Sequence, residues 1–424
     1  MPKTPRALLH LRHLEVFREV ARRGSVAAAA RATFLSQPAA TQAVASLEQR
    51  FGTALFERRP TGMTLTEAGR TCLVRVERAL DELREGTPEA RRLAAPAGTA
   101  RGVTAAQLEA LIGVAAHGGF AAAARAMAMD RPTLHRAARA LERAIGTSLF
   151  ERTSFGLRAN RDGERLAKHA QLAAAELAQA SAELAALAGV ETGRTVIGVM
   201  PLARSFLVPK AVLEFVSLHP SHTVSLLDGS YASLLAALLT GEADFLVGAL
   251  RDPAPAPEVV EEPLFDDPLA IVIRAGHPLA RRRSAGVRAL ARYPWIAPRA
   301  GSPLRRQFDA LFAAGRCAVP AGLIECNSLV AARALLQRSD RVMLLSAHQV
   351  EQDLATGLLA TLPHPGGRVV RRIGLTLRRN WYPTPSQREL LRLLRDAARD
   401  VGRATPFSRH RPAGATAATP APAA

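Results

Sequence analysis

Gln37, Thr41 and Gln42 carry short polar groups that can both donate and accept hydrogen bonds, the chemistry needed to read base edges in a DNA major groove. Their spacing places them on one side of a helix. Ser36 is a good N-cap for that helix, and Pro38 falls in its first turn, where a missing N–H costs nothing. Ala40, Val44, Leu47 and Phe51 share one face and pack inward. Gln37, Pro38, Thr41, Gln42, Ala45 and Gln49 are left outside. Further on, Arg58 and Arg59 stand before a Pro60-Thr61-Gly62 turn, on a predicted hairpin from which a guanidinium reaches phosphate.

Each of these groups needs a scaffold. Leu11, Leu14, Phe17, Val20 and Ala21 have helical spacing, and Gly24 breaks that helix. Ser25 caps a short second helix ending near Ala32, and the Ser36 helix follows as the third. Two helices joined by a tight turn, followed by a hairpin and a long helix from Glu67, form a winged helix-turn-helix pattern.

The chain then repeats itself at an offset of 94 residues. Gly24 to Ala32 realigns with Gly118 to Ala126, Pro38 with Pro132, Leu47-Glu48 with Leu141-Glu142, and Gly52 with Gly146. Leu55-Phe56-Glu57-Arg58 returns as Leu149-Phe150-Glu151-Arg152, and Gly69 as Gly163. Alanine-rich coincidence would not hold register through the Gly, Phe, Glu and Arg matches. The outer face of the second copy differs. Asp130 replaces Ser36 as cap, and Arg131, His135, Arg139 and Arg143 recur every fourth residue beside Arg136. Arg131, Thr133, His135, Arg136 and Arg139 are therefore a second set of candidate DNA contacts, suited to phosphate or guanine. The second wing drifts to Arg158-Ala159-Asn160-Arg161, which leaves a dimerisation or spacer role open for this copy.

Ser36 to Thr41, Leu47-Glu48, Gly52, Leu55 to Arg58 and Leu65-Thr66-Glu67-Ala68-Gly69 resemble the N-terminal signature of LysR-type regulators. The resemblance implies that Ser36, Gln37, Pro38, Thr41 and Gln42 enter the major groove. It also implies that the following long helix pairs with its equivalent in a second subunit. In the second copy the Ala/Leu/Glu-rich stretch from Glu164 to Leu187 is the favoured dimer seam.

From Arg194 apolar runs alternate with helical patterns, which predicts an α/β fold with a largely parallel sheet. Ala275 to Ala280, Pro294-Trp295-Ile296 and Gly301 to Leu304 resemble the same family's effector domain, two lobes about a cleft as in periplasmic solute-binding proteins. Ser346 to Gln349 and Gly357-Leu358 extend the match, nearest to the branch of galactose-binding-protein regulators, whose ligands are sugars. Ligands of such sheets sit beyond the carboxyl ends of strands, near helix N-termini. That singles out Met200, Pro201, Leu202, Ser230, Tyr231, Ser302, Asn327 and Ser328. Arg204 and Arg251 add cations suited to a carboxylate, so the effector is expected to be a sugar or a small organic acid.

Composition agrees with this reading. Lys and Arg number 56 against 37 Asp and Glu, a net charge of +19 that favours a polyanionic partner, although arginine is also abundant throughout. Cys72, Cys317 and Cys326 form no CxxC pair, which fits a reducing cytosol. No apolar run is long enough for a membrane span, and a secretory signal is not expected. No metal spacing, phosphate loop or dinucleotide unit is present, so neither cofactor nor metal nor catalytic residue is assigned. The expected architecture is two α-helical winged units at 8–66 and 101–161, with linker helices at 67–96 and 162–189. A two-lobed α/β effector domain follows at 194–403, lobe I being 194–258 with 368–403 and lobe II 263–365, ahead of a disordered tail at 404–424. The expected function is a cytoplasmic, effector-controlled regulator binding double-stranded DNA as a homodimer or homotetramer. The alternatives are a solute-binding protein, or an α/β enzyme with a fused winged-helix repeat.

Overall fold

The computed structural model describes residues 10–60, 62–87, 102–154, 156–190 and 192–403. The tail expected at 404–424 and the end of the first linker lie outside these residues. The first unit comprises α1 (Leu11–Arg23), α2 (Val26–Thr33), α3 (Gln37–Phe51), the hairpin β1 (Phe56–Arg59) and β2 (Gly62–Leu65), and α4 (Glu67–Gly86). The second repeats that order with α5 (Ala105–Ala116), α6 (Phe120–Ala126), α7 (Arg131–Ile145), β3 (Phe150–Thr153), β4 (Gly156–Ala159) and α8 (Arg161–Leu187).

The caps form as their residue types dictate. Ser25 accepts from the Ala28 N–H at 3.3 Å, Ser36 from Ala39 at 3.4 Å, and Asp130 from Thr133 at 2.8 Å. Thr66 and Asn160 cap the two long helices identically, each accepting from the glycine three residues on at 2.9 Å. Leu14, Phe17, Leu47 and Val76 of the first unit join Leu108, Leu111, Leu141 and Leu177 of the second in one continuous apolar core. That core exists because α4 lies along α8. Arg75 meets Glu176 and Glu183, Arg78 meets Glu176, and Glu82 meets His169, so the two helices run antiparallel. The pairing expected between subunits is thus made within one chain.

The effector half begins with β5 (Arg194–Val199), α9 (Leu207–Leu218), β6 (Thr223–Leu227), α10 (Tyr231–Thr240) and β7 (Phe245–Ala249). β8 (Val259–Arg274) crosses to the second lobe. There lie α11 (Val287–Leu290), β9 (Trp295–Ala297), α12 (Pro303–Ala314), β10 (Ile324–Glu325), α13 (Leu329–Gln337), β11 (Val342–Ser346), a 3₁₀ turn (Ala347–Val350), α14 (Glu351–Ala355) and β12 (Leu359–Pro363). β13 (Val370–Arg378) returns to the first lobe, and α15 (Pro385–Arg403) ends the domain.

The strand order is β10-β9-β11-β8-β13-β7-β5-β6, with β12 also on β8. The sheet is mixed rather than largely parallel. β5 is parallel to β6 and β7, and β9 to β10 and β11, whereas β8 and β13 pair antiparallel with every neighbour. The expected lobe limits at 258 and 263 also shift. β8 is one strand whose residues 259–268 pair with β13 and whose residues 269–274 pair with β11 and β12, so the lobes divide inside it. Pro263 and Pro268 obscure this strand in the sequence. It tolerates them because its first part pairs on one side only, and the register shifts at Ile373/Gly374, opposite Phe265 and Pro263.

Candidate nucleic-acid interface and effector cleft

The face of α3 is built by exclusion. Ala40, Ala43, Val44 and Leu47 are buried, while Ser36, Gln37, Pro38, Thr41, Gln42, Ala45 and Gln49 are all exposed. The Thr41 hydroxyl donates to the Gln37 carbonyl at 3.0 Å and keeps its lone pairs outward. The α3-to-β1 corner is set by a residue with no outward role: Glu48 Oε1 accepts from the Leu55 and Phe56 N–H groups at 2.8 and 3.2 Å. Glu142 does the same for Leu149 and Phe150, at 2.9 and 3.3 Å. Arg58 is exposed on β1. Arg59 is exposed too and is held by Glu57 at 3.0 Å, an exposed ion pair weak enough to yield to phosphate. The wing is pinned where Met63 N–H donates to the Gly24 carbonyl at 2.8 Å. A Cβ at Gly62 would stand 2.5 Å from that oxygen.

The second face is less free than a uniform basic stripe. Arg131, His135, Arg136, Arg139 and Arg143 are exposed and Thr133 half-buried. His135 stacks on Phe120, ring centres 4.1 Å apart and planes 9° from parallel. Arg136 donates to the Thr133 hydroxyl at 2.9 Å, and Arg139 to Glu142 at 2.6 Å. Hydrogen bonds from the Thr133 side chain and N–H hold the Asp130 carboxyl below the usual carboxylate range. Arg152, the counterpart of Arg58, is exposed on β3, and the repeat alone could have nominated it.

In the effector half the expected residues divide between the lobes, all beyond the carboxyl ends of parallel strands. Met200, Pro201, Leu202 and Arg204 follow β5, and Ser230 and Tyr231 follow β6. Ser302 follows β9, and Asn327 and Ser328 follow β10. Two of them turn their side chains inward. Leu202, 3% exposed, packs in the lobe I core, and Met200 joins a core cluster with Leu234, Leu238 and Leu246. Arg204 pairs with Asp228 across the two lobe I loops. Arg251 lies 4.0 Å above the Tyr231 ring while its own N–H donates to Glu261 at 2.7 Å. Burial, and then the Glu261 charge, push the Tyr231 phenol up. Ser230, Ser302 and Ser328 cap α10, α12 and α13.

Where the lobes divide, Asp267 is fully buried and receives Ser346 Oγ at 2.5 Å and Arg371 at 2.7 Å. The sequence pattern also hid Arg75, which is fully buried between α4 and α8. It donates to Glu176, Gln179, Glu183 and the Tyr382 carbonyl at 2.7–2.9 Å and lies 4.8 Å from the Tyr382 ring centre. The signal was its place among Cys72, Val76 and Ala79, where a buried apolar residue was due. Among the described residues, potential metal ligands gather at Glu82, Glu85 and His169. There His169 Nδ1 and Glu82 already pair at 2.7 Å across the α4–α8 seam. No helix among the described residues is long and apolar enough to cross a membrane.

Comparison with known proteins gives consistent matches. The LysR substrate binding domain matches residues 188–399. The bacterial regulatory helix-turn-helix protein of the lysR family matches twice, over 11–70 and 105–164. The HTH-type transcriptional regulator GalR of Pseudomonas putida is 33% identical over 393 residues, 92% of this chain and 97% of its own. An alignment of that length has room for both winged units. The HTH-type transcriptional regulator PcaQ of Agrobacterium fabrum is 31% identical over 297 residues, 69% of this chain and 94% of its own. Among solved structures, a full-length OxyR variant from Pseudomonas aeruginosa has a TM-score of 0.51 at 22% identity, covering 69% of this chain and 94% of that one, a likeness of fold.

Proposed function

The chain belongs to the LysR family of bacterial helix-turn-helix regulators, effector-controlled DNA-binding proteins rather than enzymes, and within that role we propose which of its residues do the reading. Gln37, Thr41 and Gln42 on α3 contact base edges, and Ser36 and Pro38 set the angle at which that helix enters the groove. Arg58 and Arg59 hold the duplex by its phosphates. The carrying observation is the outward row of uncharged hydrogen-bonding groups on α3, backed by a fully apolar inner face. The protein works in the cytoplasm, where its promoter DNA is.

These roles separate experimentally. Gln37→Ala and Gln42→Ala are expected to cost about 1–3 kcal/mol each on the preferred duplex and little on random competitor. Arg58→Ala weakens both duplexes alike and lowers the salt slope of binding by about 1. Equal losses on specific and random duplex for the glutamine variants, by fluorescence anisotropy, would defeat the assignment.

The effector binds at the strand ends of the two lobes, and Arg251, braced on Tyr231, meets an anionic group of it. A small organic acid is favoured over a neutral sugar on this ground. A ligand at about 100 times its Kd stabilises the folded protein by about 2.7 kcal/mol. The melting point of the full chain across a panel of sugars and carboxylates is therefore expected to rise with a carboxylate, and Arg251→Ala to remove that rise. A rise with sugars alone, unchanged in the variant, would reverse the choice.

A further inference from the structure

The α4–α8 seam carries the signature of a two-fold axis inside one chain. Under the 94-residue repeat, Arg75 corresponds to His169 and Glu82 to Glu176. The observed contacts are Arg75 with Glu176 and Glu82 with His169, both at 2.7 Å. Each contact is the image of the other when the copies are exchanged. That is the rule of an isologous interface, in which residue i meets j and j meets i. The exchange is centred between Arg78 and Ala79, and Ala79 and its counterpart Ala173 are both fully buried. Small residues at the centre let the helices approach. Each winged unit is fixed to its own long helix, α1 packing on α4 and α5 on α8. The dyad that relates the long helices therefore also relates α3 to α7.

The symmetry holds for this pair of seam contacts, though not for Arg78 with Glu176, since Leu172 stands where the second copy would need a cation, and it fails on the outer faces. The exposed Gln37, Gln42 and Gln49 of α3 stand where α7 has the exposed Arg131, Arg136 and Arg143. Glutamine pairs two-pronged with adenine, and arginine with guanine. Duplex DNA has a dyad backbone whatever its sequence, so a two-fold head can straddle it while reading different bases on each side.

We infer that one chain occupies a whole operator dyad, α3 on an adenine-bearing half-site and α7 on a dissimilar, guanine-bearing half-site about one helical turn away. The inference rests on the assignment of the α3 face as the reading surface. It also means that association between chains uses surfaces other than α4 and α8, whose facing sides are already covered by each other.

Selection of bound duplexes from a random pool with the full-length protein tests this. The expected motif has two unlike halves. Gln42→Ala is expected to degrade one half and Arg136→Ala the other, each with a roughly tenfold or greater loss on the selected duplex. A fragment limited to the two halves is expected to saturate at one fragment per chain in titration. A palindromic motif in which Gln42→Ala degrades both halves, with two chains per fragment, overturns the inference and leaves the α3 assignment standing. Unlike halves of which only the Gln42 half responds, Arg136→Ala being silent, also overturn it. A pool that yields no motif at all removes the α3 assignment and the inference with it.

Discussion

Arg75→Ala is expected to lower the unfolding free energy by about 3–5 kcal/mol, the cost of leaving buried carboxylates without their cation. Glu176 and Glu183 each expose only 10% of their side chains, and Arg75 bridges them with its Nη1, Nη2 and Nε groups. Arg78 reaches Glu176 from the rim at 2.9 Å, so Glu183 is the group left most exposed to the loss. The effect also spreads, because Arg75 donates to the Tyr382 carbonyl between β13 and α15 and so ties the helix pair to the effector domain. Arg75→Ala combined with Glu183→Gln should cost less than the two changes summed, since the second removes the charge that the first strands. Urea unfolding of the four proteins of that cycle measures this. A single variant within about 0.5 kcal/mol of the parent would show that the cluster contributes little.

Gly69→Ala is the second substitution with a large expected effect, and Gly163→Ala should repeat it in the other unit. A Cβ on Gly69 would stand 2.0 Å from the Leu55 carbonyl oxygen, and one on Gly163 2.2 Å from that of Leu149. Neither oxygen is free to move aside, since it accepts from the Thr66 or Asn160 N–H at 3.1 and 2.9 Å, the bond that closes the wing onto the long helix. Overpacking of this kind costs about 1–3 kcal/mol, and a backbone obstacle puts it at the upper end. Gly52→Ala is the control. Gly52 caps α3 at a φ of +68°, and a methyl group added there would meet nothing within 4 Å, so only conformational strain of about 1 kcal/mol opposes the change. Denaturant midpoints should rank Gly69→Ala and Gly163→Ala below Gly52→Ala. The reverse order would mean that the wing moves freely against its helix.

The caps and the outward face of α3 were legible in the sequence because each depends on residues within about one or two helical turns of one another, and the repeat because the same local signals return in register 94 residues later. Ser36 caps whatever follows it, and a 3.6-residue period sorts Val44 from Gln42 without reference to any other part of the chain. The α/β character of the effector half was legible for the same reason, from runs of strand and helix, whereas its two lobes came only from the family resemblance and its mixed sheet from the structure. What could not be read were partners far apart in the chain. The basic stripe gave no sign that His135 stacks on Phe120, and the strand-end position of Leu202 gave none that its side chain joins the lobe I core. β8 was hidden by Pro263 and Pro268, which only an edge and a register shift make tolerable. Above all, the sequence determined that two winged units and two long helices exist, but not which helices pair. A helix with an apolar stripe and a buried arginine is equally satisfied by its own copy or by a neighbour's. Only the closing of α4 on α8, with the charges of one matched to the other, decided that the partner lies in the same chain.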